Sequence, residues 1–170
     1  MIKRLQYNEF KGKNYKVKIE SNKYLKIEKK DFGFLFEWEP YHDEYYLEDE
    51  ILSNWLDNPI AYGYYNDNEL LGYVEGYLES WNNRFRLTNI CVFETNNRSQ
   101  GIGELLLDRI EADAKNMNAR MIVLETQSYN HKAIEFYKKH NYDIIGFDLY
   151  AYSNNDPEAH NIRIEMGKNI

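Results

Sequence analysis

Arg98-Ser99-Gln100-Gly101-Ile102-Gly103 lies between a run that reads as a β-strand, Phe85 to Phe93, and one that reads as a helix. Two glycines at such a junction let the backbone take unusual φ angles and come close to a ligand. The first N–H groups of a helix point outward unpaired, and the helix dipole adds a field that favours an anion. The spacing therefore predicts a phosphate-binding turn. It is not a Walker loop, because no Lys-Ser/Thr follows the glycine. It is not a dinucleotide fingerprint either, because Leu106 stands where the third glycine would.

Downstream, Ile102, Leu106, Ile110 and Ala114, joined by Leu105, repeat at the spacing of an amphipathic helix reaching about Met117. Met121 to Leu124 reads as a short buried strand. A second helix turns Ala133, Phe136 and Tyr137 inward and ends in Lys138, Lys139 and His140, where cations suit the dipole. Tyr142 to Ser153 and Asn161 to Met166 read as strands, with the turn Asn154-Asn155-Asp156-Pro157 between them. Upstream, Ile60 to Tyr65, Leu70 to Glu79 and Phe85 to Phe93 form an antiparallel meander, punctuated by Asn66-Asp67-Asn68-Glu69 and Trp81-Asn82-Asn83-Arg84.

Nearer the start, Tyr15, Val17 and Ile19 alternate with lysines, and Ser21-Asn22 offers a turn before Tyr24 to Ile27; this predicts a strand or hairpin. Asp43 to Leu56 predicts a helix, with Tyr46, Glu50 and Asn54 on one face, Leu47, Ile51 and Trp55 on another, and Pro59 as its stop. A meander followed by strand–helix–strand–helix–strands gives an α+β fold, a three-layer α/β/α domain with a mixed, mostly antiparallel sheet. No linker, repeat or low-complexity tract interrupts residues 1–170, which read as a single domain.

Composition narrows the function classes. A net charge of −7 disfavours nucleic acid as a partner. The charge is unevenly spread. Asp31 to Asn83 contains 13 acidic residues and no lysine or arginine, so the rest of the chain carries a net +6. One part is suited to cations and the other tolerates anions. The longest apolar runs are far short of the roughly 20 residues that span a bilayer, and no apolar segment follows Lys3 and Arg4, so no membrane partner and a cytoplasmic location are expected. Cys91 is the only cysteine, and His42, His131, His140 and His160 are scattered, so no metal is expected.

Arg-x-x-Gly-x-Gly at Arg98 to Gly103, with Leu124-Glu125 at a strand end and then Asn130-x-x-Ala133-x-x-Phe136-Tyr137, resembles the GNAT superfamily of N-acetyltransferases. The resemblance implies acetyl-coenzyme A as cosubstrate, bound where a strand splays from its parallel neighbour. It implies that Ile90, Cys91 and Val92 pair with the pantetheine arm and that one amide there holds the thioester oxyanion. Arg98, Ser99, Gln100, Gly101, Ile102 and Gly103 would cradle the pyrophosphate, and Asn130 would hydrogen-bond the cofactor. Lys132, beside it, is a candidate for an outer phosphate. Tyr137 matches the family's general acid, which protonates the departing thiolate. Glu125 matches a placement used as general base, acting directly or through water, with Glu75 and Glu79 as alternatives. Two positions depart from the pattern: Asn141-Tyr142 replaces Gly-Phe, and Thr88 and Asn89 stand where many relatives carry a carboxylate.

Trp81-Asn82-Asn83-Arg84, Leu124-Glu125-Thr126-Gln127 and Asp148-Leu149-Tyr150-Ala151 are similar to one branch, the streptothricin acetyltransferases, as is Glu37-Trp38-Glu39-Pro40-Tyr41 with the acidic stretch after it. That implies a polycationic acceptor, acetylated on a β-lysine arm. Charge reads the same way: Glu37, Glu39, Asp43, Glu44, Glu48, Asp49 and Glu50 offer an anionic basin. Tyr41, Tyr45, Tyr46 and Trp81 add aromatic faces, and Glu37, Glu39, Tyr41, Glu75 and Trp81 are the candidate acceptor contacts. A protein or polyamine acetyltransferase, or a non-catalytic acetyl-coenzyme A-binding module, are the competing readings. A homodimer is compatible with the sequence.

Overall fold

The computed structural model describes residues 1–93 and 97–170. Its elements are β1 (Ile2–Arg4), α1 (Tyr7–Phe10), β2 (Lys13–Lys30), β3 (Gly33–Ile51), β4 (Ile60–Asn66), β5 (Glu69–Glu79), β6 (Arg84–Val92), α2 (Ile102–Asn116), β7 (Met121–Gln127), α3 (His131–Lys139), β8 (Asp143–Asp148) and β9 (Arg163–Asn169). They fall into two compact units. One comprises residues 1–18, 46–123 and 169–170, and the other residues 19–45 and 124–168.

In the first unit the strands run in the order β1-β4-β5-β6-β7. β1, β4, β5 and β6 are antiparallel neighbours, and β6 pairs in parallel with the start of β7, so the sheet is mixed. The meander is where the sequence puts it, because short apolar and aromatic runs alternate with Asn- and Asp-rich turns; Asp67 and Asn83 supply the positive φ those turns need. α2 packs on β4, β5 and β6 through Ile102, Leu106, Leu107, Ile110 and Ala114, all buried. A cluster of Leu5, Ile51, Leu52, Ala61 and Tyr73 fills out the core, with Tyr15, Cys91 and Phe93 packed against it.

In the second unit the order is β7-β9-β8, with β8 and β9 antiparallel. Ile134 and Tyr137 of α3 are buried there, as are Tyr142, Ile162, Ile164 and Met166. Asn141 takes φ 66° after α3, so asparagine fills the left-handed position at which the superfamily's pattern has glycine.

The structure corrects two expectations. Asp43 to Leu56 is not a helix; residues up to Ile51 belong to β3, which with β2 forms a separate two-stranded sheet. Leu47, Ile51 and Trp55 are four apart, a spacing that keeps residues on one face of a strand as well as of a helix. Tyr-rich β-propensity and the partner strand decide between them. The turn is not at Ser21-Asn22 either. Ser21 is buried within β2, its hydroxyl donating to Lys23 O (2.8 Å) and Tyr129 O (2.6 Å), and the chain reverses at Asp31-Phe32, where Asp31 has φ 43°.

Candidate active site

The first unit carries the phosphate turn. Gly101 is the N-cap of α2 with φ 78°, and a Cβ built there would meet nothing within 4 Å. Glycine is required by conformation, and among the described residues nothing fills the space beside it. Among the described residues no side chain caps the helix, so its first amides, at Ile102 and Gly103, are directed at that space. Ser99 adds a second positive φ (63°), and Ile102, 3% exposed, anchors the helix start in the core. Ser99 and Gln100 are exposed, and the Arg98 guanidinium donates from Nε to Val92 O at 3.3 Å, tying the turn to β6. Open glycine, uncapped amides and a nearby guanidinium suit the pyrophosphate of acetyl-coenzyme A.

β6 supplies the next element. Phe93 N donates to Leu71 O, and the register runs Gly72↔Val92, Tyr73↔Cys91, Val74↔Ile90 and Glu75↔Asn89. Antiparallel pairs alternate between bonded and non-bonded, so Cys91 and Phe93 face β5 while Ile90 and Val92 direct N–H and C=O to the opposite edge. The Arg98 bond to Val92 O agrees with this. On that edge the parallel ladder with β7 comprises only Arg84↔Met121, Phe85↔Ile122 and Arg86↔Val123. The amides of Ile90 and Val92 lie beyond it, available to an extended ligand. Cys91 is half-buried, and the desolvation of its thiol pushes its pKa up to about 12.

One arrangement escaped sequence reasoning. Glu75 is 0% exposed. Its Oε2 accepts from Leu52 N (2.7 Å), and its Oε1 accepts from Asn89 Nδ2 (3.0 Å) and Thr88 Oγ1 (3.4 Å). Asn89 Nδ2 also reaches Asp49 Oδ2 (3.3 Å), and Asn89 Oδ1 accepts from Tyr15 OH (3.4 Å). Burial, with Asp49 nearby, pushes the Glu75 carboxyl above the usual carboxylate range against these hydrogen bonds. Tyr15 is likewise raised by burial. Asn14, Tyr15, Lys16, Glu48, Asp49, Glu50 and Trp55 line a groove of about 840 Å³. Trp81 is 81% exposed, with the Arg84 guanidinium 5.8 Å from its ring. Glu79 holds Arg84 (3.1 Å) and Arg86 (2.5 Å), so it is committed to ion pairs.

The second unit carries the remaining candidates. Tyr137 is buried on α3, with the Phe136 ring 5.3 Å and the Tyr142 ring 5.6 Å from its own. Asn130 is the N-cap of α3, its Oδ1 accepting from Ala133 N at 3.3 Å. Lys132 lies 3.6 Å from Glu20, and His131 beside it is buried, which lowers its pKa. Glu125 is exposed and accepts from Tyr152 OH at 3.2 Å, while Gln127 Nε2 donates to the same phenol. Burial pushes that phenol up to about 12. Nothing in the spacing of the sequence joins Tyr152 to Glu125.

Of the acidic residues on β3, Glu37 is exposed, whereas Glu39 pairs with Lys26 Nζ (2.6 Å) and accepts from Tyr24 OH (2.8 Å). Those two bonds hold Glu39 below the usual carboxylate range. Tyr41 OH contacts Tyr45 OH (2.6 Å) and donates to Asp43 (2.9 Å), its ring edge-on to Tyr24; burial raises its pKa. Among the described residues no group of histidine, cysteine and carboxylate side chains could hold a metal ion.

The model of the acetyltransferase (GNAT) family matches residues 22–142. Streptothricin acetyltransferase A of Bacillus subtilis (strain 168) is 31% identical over 127 residues, covering 74% of this chain and 71% of that protein. The crystal structure of a nourseothricin acetyltransferase superposes with a TM-score of 0.78 at 19% identity, covering 99% of this chain and 97% of the other. A Bacillus anthracis str. Ames protein solved in complex with acetyl coenzyme A gives 0.75 at 24% identity, covering 100% and 97%. Both structures share this fold.

Proposed function

We propose, for a chain that belongs to the acetyltransferase (GNAT) family and transfers acetyl from acetyl-coenzyme A to an amine, that the acceptor is streptothricin or a similar polycationic antibiotic, acetylated on its β-lysine arm. The observation that carries this reading is the match to a streptothricin acetyltransferase over 74% of the chain. The charge supports it: Glu37, Asp43, Glu44 and Glu48 are exposed on β3 and would draw in a polycation.

Acetyl-coenzyme A supplies the activated acetyl thioester; the chain's own groups do the rest. Uncapped amides at the start of α2, with Ser99, Gln100 and Arg98, take the pyrophosphate, and Asn130 and Lys132 add contacts. The amides of Ile90 and Val92 hydrogen-bond the pantetheine arm and stabilise the oxyanion that forms when the amine attacks. Glu125, oriented by Tyr152, takes the ammonium proton directly or through water. Tyr137 donates its phenolic proton to the departing thiolate. Glu37, Glu39, Tyr41 and Trp81 contact the acceptor; Glu75, fully buried, acts from behind the strand. The reaction belongs in the cytoplasm, and a homodimer is proposed, to be checked by sedimentation equilibrium. Nucleic acid and membrane surfaces are not partners on this reading.

The test is acetyl transfer to streptothricin, spermidine and a short basic peptide in parallel, read by product mass. Streptothricin gaining one acetyl is the expected result. Transfer to spermidine or peptide with none to streptothricin would overturn the acceptor assignment.

A further inference from the structure

β6 changes phase partway along its length. At its start Asn83 O accepts from Arg120 N, so odd-numbered residues face the β7 edge. At its end Phe93 N donates to Leu71 O, so odd-numbered residues face β5 instead. The switch comes from a bulge: Glu75 pairs with Asn89 and Gly76 with Leu87, leaving Thr88 as the extra residue. Without it, Asn89 and Cys91 would direct their amides to the open edge and Ile90 and Val92 would face β5.

The side chain opposite the bulge is Glu75, and its bonds converge on the extra residue and the one after it. Thr88 Oγ1 reaches Glu75 O (3.2 Å) and Oε1 (3.4 Å), and Asn89 Nδ2 reaches Oε1 (3.0 Å). Oε2 is held by Leu52 N at 2.7 Å, immediately after β3, so the carboxylate is braced from a separate element. A buried carboxylate without a compensating role would be a net cost to the fold. Glu79, two turns of pleat further on, has two arginines as partners; Glu75 has none and is held by neutral donors alone.

We propose that Glu75 is a positioning residue for acetyl transfer: its carboxylate clamps the Thr88–Asn89 bulge and so aims the amides of Ile90 and Val92 at the thioester carbonyl. The inference rests on the oxyanion role given to those amides above. It does not depend on which amine is the acceptor. Glutamine at position 75 has the same shape but must point an N–H at either Leu52 N or the Asn89 and Thr88 donors, so one arm of the clamp opens. Thr88→Val removes the two hydroxyl bonds and leaves the carboxylate in place.

The experiment compares wild type, Glu75→Gln and Thr88→Val by steady-state kinetics, with whichever amine wild type acetylates best, and by the backbone amide shifts of Ile90 and Val92. The expected result is a fall in kcat of about 100-fold for Glu75→Gln, the scale of losing one oxyanion donor, and about 10-fold for Thr88→Val. KM for both substrates should stay within about threefold, which a loss of binding would not produce, and kcat is normalised to the folded fraction read from the amide spectrum so that a loss of folded protein is scored separately. The Ile90 and Val92 shifts should move in both variants. Unmoved shifts, with or without a fall in kcat, overturn the clamp. Moved shifts with unchanged kcat leave the clamp standing and overturn the oxyanion role of β6. If Glu75→Gln does not fold, Thr88→Val decides by the same readings.

Discussion

Replacing Gly72 by alanine should damage the site without touching any polar group in it. Gly72 lies opposite Val92, and a Cβ there would sit 2.6 Å from Cys91 O and 3.3 Å from Val92 Cα. Both neighbours are backbone, so no side chain can swing away. Restoring ordinary contact requires β5 and β6 to part locally by roughly 0.5–1 Å, against a normal strand spacing of about 4.8 Å. The bonds on either side, at Tyr73↔Cys91 and Leu71–Phe93, would stretch past useful length. Overpacking costs about 1–3 kcal/mol and each weakened bond about 1 kcal/mol, so a loss of roughly 3 kcal/mol is expected. For a chain of this size that lowers Tm by about 6–12 °C, measurable by calorimetry. A displacement of this size at Ile90 and Val92 should also cost about 100-fold in kcat. A Tm within 2 °C of wild type and kcat within about twofold would refute the reasoning.

Three further outcomes are expected. Tyr137→Phe should lower kcat by about 10²-fold or more while acetyl-coenzyme A affinity, measured by calorimetric titration, stays put; unchanged kcat would remove the phenol from the acid role. Asn130→Ala removes the N-cap of α3 and should cost about 1 kcal/mol in denaturant unfolding, with a midpoint equal to wild type counting against it. Cys91, raised to about 12, should be about one part in 10⁴ thiolate at pH 8, so iodoacetamide should label it only after unfolding. Because the folded thiol holds its proton more tightly than the unfolded one, this group's contribution to stability is full below pH 9.0 and is lost as pH climbs toward about 12.

The meander was legible from the Asn- and Asp-rich turns between its short apolar runs, and α2 and α3 from apolar stripes at helical spacing. β3 was not, because side chains four apart share a face in either a helix or a strand; the long partner strand that decides the matter sits upstream. Arg98 to Gly103 could be read as an anion turn from two glycines before an apolar stripe, and Gly101 carries the left-handed φ that this reading needs. The Glu75–Asn89–Asp49 connection could not be read, since it joins β5, β6 and β3 at separations of 14 and 40 residues. Glu39 looked free in a lysine-poor segment, yet the hairpin returns it to Lys26. Local spacing thus revealed the backbone donors, while side-chain partners depended on contacts far apart in sequence.

The division of the chain also sets an order of assembly on the ribosome. Residues 1–18 and 46–123, nearly all of the first unit, have been made before any of 124–168 exists. Residues 19–45, with the aromatic tip at Phe32 to Phe36, must wait for that later stretch before their own unit can close. At ordinary elongation speed the wait from residue 45 to residue 168 is roughly 6–25 s, long compared with hairpin formation. During that time the nascent chain presents an apolar arm to chaperones. A chain released at residue 123 would leave Leu25 and Ile27, buried in the finished unit, permanently uncovered, a substrate for quality control although all but two residues of its first unit had been made.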